Sequence, residues 1–138
     1  MLRSSVNYWR SYEARMMKHY HLRPSLEMPK IYLYREAIDF RKQSNGLAAI
    51  VEQELEHNPF DGGLYVFTNR YRNRIKMLMW ENNGFVLYYK ALAKDKFIWP
   101  DTSEMLISLT GQQINFLLDG LDIMRLQGHK KLHYSSVF

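Results

Sequence analysis

The sequence predicts an α+β fold, a mostly antiparallel sheet (a meander of about four to six strands) with two helices packed on it. Three observations predict it. β-Prone runs flank a hairpin signal at Asn82-Asn83-Gly84. Phe40, Leu47, Val51 and Leu55 recur at helical spacing, as do Ile114, Leu117, Leu118 and Leu121. A chain of 138 residues, 46% of them hydrophobic, has room for one core.

In chain order, Tyr8, Tyr12, Met16 and Tyr20 repeat every four residues, the spacing of one helix face, until Pro24 and Pro29 end the pattern. Residues 1–27 form a basic, aromatic N-terminal extension, and Met28 opens the domain proper. Lys30 to Tyr34 predicts a strand. Asp39 is placed to cap a helix that ends before Pro59, because a short carboxylate accepts from the free N–H groups of a first turn. Gly62-Gly63 marks a turn into a strand at Leu64 to Thr68. Arg74 to Trp80 and Phe85 to Leu92 are the arms of a hairpin whose Asn-Gly turn suits type I′ geometry. Phe97 to Trp99 predicts a short strand before Pro100, and Met105 to Leu109 another. Thr110 and Gln113 make a capping box for a second helix that reaches Gly120 or just beyond, and residues 126–138 are a tail.

Cysteine is absent, which excludes disulfides and thiolate metal sites and suits a reducing cytoplasm. No apolar run approaches the ~20 residues of a membrane helix, so no membrane partner is expected. The net charge is +5, but its distribution says more than its sum. Residues 1–27 carry five basic and two acidic side chains (+3), residues 126–138 carry Lys130 and Lys131 (+2), and residues 28–125 carry twelve of each. Within that neutral stretch, Leu64 to Ile98 holds Arg70, Arg72, Arg74, Lys76, Lys90, Lys94 and Lys96 against Glu81 and Asp95, a local +5, while Glu52, Glu54 and Glu56 gather elsewhere. A fold that keeps these groups apart has a basic side and an acidic side.

From Ile31 to Asp122 the residues resemble the TnpB-type accessory protein of the bacterial insertion-sequence-sixty-six family, the product of that element's second open reading frame. This is not the RNA-guided nuclease of the same label. Asp39-Phe40-Arg41-Lys42 is similar to the family's Asp-Met-Arg-Lys box and is followed by Gly46-Leu47. Asn58-Pro59-Phe60, Leu64-Tyr65-Val66-Phe67, and Arg74, Lys76, Leu78 and Trp80 of its Arg-x-Lys-x-Leu-x-Trp pattern continue the match. Gly84-Phe85, Tyr89-Lys90, Phe97-Ile98-Trp99-Pro100, Leu109-Thr110 and Leu118-Asp119-Gly120-Leu121-Asp122 complete it. Gln43 and Asn73 depart from the family's usual Gly and Asp. The resemblance implies an accessory role in transposition beside a separate transposase. The cognate transposase, other element-encoded proteins and transposon DNA are then the implied partners.

The residues themselves favour binding over catalysis. Alternation in the hairpin sets Ile75, Met77 and Met79 on one face of the first arm, with Phe85, Leu87, Tyr89 and Ala91 as the apolar face of the second. That pairing leaves a mixed face bearing Lys76, Trp80, Tyr88 and Lys90. Arg70, Arg72, Arg74, Lys76, Lys90, Lys94 and Lys96 are the expected phosphate contacts, and Tyr71, Trp80 and Tyr88 the aromatic contacts. Arg41 and Lys42, at a helix start, are placed to grip an anion. The alternative for this hairpin is plain packing under a helix. A protein-only adaptor is the second functional reading and requires an exposed apolar patch. A metal-dependent nuclease is the third, and requires convergence among Asp39, Asp61, Glu81, Asp101, Asp119 and Asp122. Asp39 is placed as a cap, Glu81 precedes a turn, Asp61 and Asp101 lie in loops, and Asp119 and Asp122, three apart near a helix end, are spaced to share a face. His19, His21, His129 and His133 lie in the flanks and His57 near a helix end, so neither a metal nor another cofactor is expected.

Overall fold

The computed structural model describes residues 22–125. The helix expected from the Tyr8–Tyr20 repeat and the tail 126–138 lie outside the described residues. The elements run β1 (Ile31–Ala37), α1 (Ser44–Gln53), β2 (Leu64–Thr68), β3 (Arg74–Glu81), β4 (Gly84–Ala91), β5 (Leu106–Leu109) and α2 (Gly111–Leu118). They form an α+β fold around a five-stranded sheet of order β4-β3-β2-β1-β5. β1 and β2 are parallel and every other neighbouring pair is antiparallel. Parallel neighbours need a long crossover, which α1 supplies. No helix among the described residues is long and apolar enough to cross a membrane.

The central strands are buried on both sides. Ile31, Leu33, Leu64, Val66, Ile75 and Met77 pack with Phe97 and with Ile114, Leu117 and Leu118 of α2. The alternating residues Tyr34, Tyr65, Phe67 and Leu78 pack with Leu47, Ile50 and Val51 of α1. The two helices therefore cover opposite faces, which explains why all five residues of β2 are buried.

Four expectations change. Asp39 does not cap α1, which begins at Ser44 with Gln43 as an N-cap that makes no side-chain bond. The Asp39 carboxylate instead accepts from the Arg41 backbone N–H (2.9 Å) and from its guanidinium, closing a tight local turn that delays the helix. The hairpin loop is Asn82-Asn83, with Glu81 paired to Gly84. Among its non-glycine residues only Asn82 has positive φ (51°), and Gly84 is extended, so the turn is not type I′. Phe97 to Trp99 forms no strand. The β4–β5 connection crosses the whole sheet, so this segment runs across the strands and drives Phe97 into the core (2% exposed). Residues 22–28 are also integral to the fold: Arg23 donates to Asp119 (2.8 Å) and Asn115 Nδ2 donates to the Pro24 carbonyl (3.0 Å).

The second helix forms as the local code predicts. The Thr110 hydroxyl accepts from Gln113 N–H and the Gln113 side chain accepts from Thr110 N–H. At its end Gly120 turns left-handed (φ 83°), with Gly120 N–H on the Leu117 carbonyl and Leu121 N–H on that of Phe116. That pair of bonds is a Schellman stop.

Candidate nucleic-acid interface

Three loops meet at one end of the sheet. They are residues 38–43 after β1, 69–73 between β2 and β3, and 92–97 after β4. Backbone bonds staple them together: Ile38 N–H to Thr68 O (2.9 Å), Leu92 N–H to Asn73 O (2.9 Å) and Phe97 N–H to Arg72 O (2.7 Å). The β2–β3 loop is organised by Asn69, whose side-chain oxygen accepts from the N–H groups of Asn73 and Arg74. With Arg74 at their rim, these three loops carry Arg41, Lys42, Arg70, Arg72, Arg74, Lys94 and Lys96 against Asp39 and Asp95, seven minus two or +5. The opposite end carries Glu52, Glu54, Glu56, Asp61 and Glu81 against Lys30, a sum of −4. The charge separation expected from the sequence is thus realised along the strand direction.

The expected contact residues divide by exposure. Lys42, Arg70, Arg74, Lys94 and Lys96 are exposed, and Tyr71 at the loop tip is 68% exposed. Arg41 is exposed but tied to Asp39 at 2.6 Å, and its guanidinium holds the Asp39 carboxyl down at about 2. Arg72 is half-buried: its guanidinium lies over the Trp99 ring, 5.5 Å from the centroid, and reaches the Arg35 carbonyl at 3.4 Å. Burial lowers its pKa, with Glu36 opposing that shift. Trp99 is fixed in turn by its own N–H on the Tyr34 carbonyl (3.2 Å).

Three of the expected contacts face inward. Lys76 is 3% exposed, and its ammonium donates to the carbonyls of Phe40 (2.7 Å) and Lys42 (2.8 Å) between the rings of Phe40 and Tyr89. Desolvation pushes its pKa down. Lys90 donates to the Leu118 carbonyl (3.0 Å), a cation on the open C-terminal carbonyls of α2. Tyr88 is half-buried against the α2-side core, and burial raises its pKa. The mixed face proposed from alternation does not exist. The register pairs Met77 with Tyr88 and Ile75 with Lys90, so Tyr88 and Lys90 lie on the opposite face from Lys76 and Trp80. A two-residue loop joins residues of opposite parity, whereas matching Met77 with Leu87 or Tyr89 needs a loop one residue longer or shorter.

Trp80 sits at the far, hairpin end of β3, where it forms an aromatic cluster with Phe60 (centroids 4.9 Å apart) and Phe85 (5.0 Å). Phe60, 53% exposed, was not singled out as a contact from the sequence. Its Asn58-Pro59-Phe60 setting is the signal: the Asn58 side chain accepts from Phe60 N–H (3.0 Å) and turns the ring outward. Of the acids considered for catalysis, Asp119 is held by Arg23, Asp122 by Met124 N–H and Arg125, and Asp61 by Gly63 N–H and the Tyr65 hydroxyl. His57 lies edge-on to Tyr32 and within 3.2 Å of the Tyr65 hydroxyl. Among the described residues no three acids or histidines converge as a metal site.

Fold and charge together define the class: a small α+β domain, polarised along its strands, with a basic loop end and an acidic, aromatic hairpin end. The model of the family described as IS66 Orf2 like protein matches residues 29–128, and the chain belongs to that family, accessory proteins of transposition. Two relatives from Sinorhizobium fredii (strain NBRC 101917 / NGR234) are similar over the same region. The uncharacterized protein y4jC is 30% identical over 98 residues, covering 71% of this chain and 84% of the relative. The uncharacterized protein y4hO is 30% identical over 99 residues, covering 72% and 86%. No solved structure matches the chain.

Proposed function

We propose that this accessory protein engages transposon DNA through the basic loop end, with Lys42, Arg70, Arg74, Lys94 and Lys96 on phosphates and Tyr71 against the sugar or an unpaired base. The observation that carries the reading is the gathering of three separate basic loops at one end, +5 together with Arg74 at their rim. Cations so grouped displace counterions from DNA, and the affinity gained is steeply salt-dependent. Arg72 and Lys76 act behind this surface, holding the loops in place.

The test is titration of the full chain into labelled element-end DNA at several salt concentrations, with unrelated DNA as control. Removing Arg74 and Lys94 together as alanines is expected to lower the slope of log affinity against log salt by about 2, since each phosphate contact contributes about 0.9. Both side chains are exposed, so the melting temperature stays unchanged. An unchanged slope removes the loop end from the interface.

The Phe60–Trp80–Phe85 cluster favours a second contact, with the cognate transposase. It is the exposed apolar patch that an adaptor needs, and it lies at the acidic end, which repels DNA. Phe60→Ala is expected to weaken capture of the transposase about tenfold, an effect that persists at high salt, and to leave the DNA titration as it was. Equal capture by both proteins removes this contact.

A further inference from the structure

Among the described residues, the outermost strand β4 has none of the devices that usually keep a sheet edge from pairing. It runs eight residues, Gly84–Ala91, without proline, and its register against β3 is unbroken from Arg74–Ala91 to Glu81–Gly84. Bulges, prolines, covering segments and outward charges are the usual protections of such an edge. The one charge in β4, Lys90, is folded back onto the Leu118 carbonyl. Among the described residues, no backbone bond joins the outward N–H and C=O groups of β4 to another segment. Val86 and Tyr89, on opposite faces, are 46% and 48% exposed. The other edge, β5, is only four residues long.

We propose that β4 is a self-pairing edge: two copies of this chain join β4 to β4, antiparallel about a two-fold axis perpendicular to the sheet, into one continuous sheet. Such an axis keeps the α1 faces of both copies on one side, so odd residues must oppose odd and even oppose even. Centring the axis on Leu87 meets this rule and overlaps nearly the whole strand. Phe85 then faces Tyr89 of the second copy and Val86 faces Tyr88, which are favoured cross-strand pair types. Lys90 falls opposite Gly84, so no like charges meet. The antiparallel arrangement also brings the acidic hairpin end of each copy alongside the basic loop end of the other. This charge complementarity, the acidic residues of one hairpin end beside the basic loops of the other copy, argues for a second copy over an unrelated strand. Self-pairing is independent of DNA contact and is tested without DNA.

The absence of cysteine makes the test direct. Leu87→Cys is the single thiol of its variant, and at the axis it lies opposite its own copy within disulfide reach. The full chain is expected to sediment as a dimer at roughly 100 μM, and Leu87→Cys to close a disulfide-linked dimer on mild oxidation. Val86→Lys, a charge at an already exposed edge position, is expected to sediment as a folded monomer at that concentration. Hydrogen exchange adds a third readout, with protection of the β4 amides rising with protein concentration. A monomeric wild-type chain overturns the proposal, as does a dimer that Val86→Lys leaves intact. Concentration-independent protection of β4 in a monomer also overturns it, and assigns the edge to the chain's own residues. Should Val86→Lys fail to fold, the Leu87→Cys disulfide decides.

Discussion

Replacing Lys76 by methionine is expected to lower the stability of the domain by about 3 kcal/mol and its melting temperature by roughly 10 °C. Methionine keeps most of the volume of the side chain but none of its donors. The carbonyls of Phe40 and Lys42 lose their partner, and each polar group left buried and unpaired costs about 1–3 kcal/mol. The rings of Phe40 and Tyr89 lose the cation they enclose as well. Calorimetry of Lys76→Met beside Lys96→Met checks this, because Lys96 is exposed and its loss should stay within about 0.5 kcal/mol. The two readings of Lys76 separate cleanly. A structural lysine costs stability and changes DNA affinity only through the loop carrying Arg41 and Lys42. A phosphate contact leaves stability alone and removes one unit of salt slope.

Lys76 also marks the boundary of what the sequence makes legible. Alternating and periodic runs located the strands and both helices, because burial of one face leaves a local signature. The capping box of α2 was legible for the same reason: Thr110 and Gln113 are three residues apart and need no other part of the chain. The partners of Lys76 are 36 and 34 residues away, and no local pattern announces them. Read locally, an outward-alternating lysine in a strand is a solvent cation; the 38–43 loop folding over it makes it a buried tie. Asp39 failed in the opposite direction. Its carboxylate had a choice between the first turn of a helix and the guanidinium two residues on, and the bidentate pair with Arg41 took it. The hairpin faces were decidable in principle. A two-residue loop fixes opposite parity across the strands, and matching apolar with apolar overrode that constraint.

The basic end illustrates a third situation. Lys42, Arg70, Tyr71, Arg74, Lys94 and Lys96 are separated in sequence, and their shared location follows from topology. β1 and β2 run parallel, so the loops that leave them emerge at the same end, where β3 begins and β4 finishes. The crossover that α1 provides is therefore what turns a scattered charge excess into a surface. The same geometry sends Glu52, Glu54 and Glu56 to the other end, because α1 runs back from the basic loops toward the start of β2.

Gly111→Ala is expected to destabilise the domain by about 2–3 kcal/mol, more than any other glycine replacement in the described residues. A Cβ at this first position of α2 would lie 2.4 Å from the Ser25 carbonyl oxygen and 2.5 Å from that of Leu26. Both obstacles are backbone, so relief requires moving the 22–28 segment or the helix start. Moving the segment strains the Arg23–Asp119 pair and the bond from Asn115 to the Pro24 carbonyl. It also exposes the apolar floor that Met28 helps to cover. Two other glycines calibrate the effect. Gly84→Ala meets nothing within 4 Å on an extended backbone and should be near neutral, while Gly120→Ala, at φ 83°, should cost about 1 kcal/mol through its left-handed conformation alone. Denaturant unfolding of the three variants ranks them, and hydrogen exchange at Met28, whose N–H is held by the Ser25 carbonyl, reports which side gives way. Faster exchange there means that the segment lifts while the sheet and its basic end stay intact, and DNA affinity is then retained despite the lower stability. A Gly111→Ala protein as stable as wild type, with Met28 still protected, would show that these residues do not pack on α2.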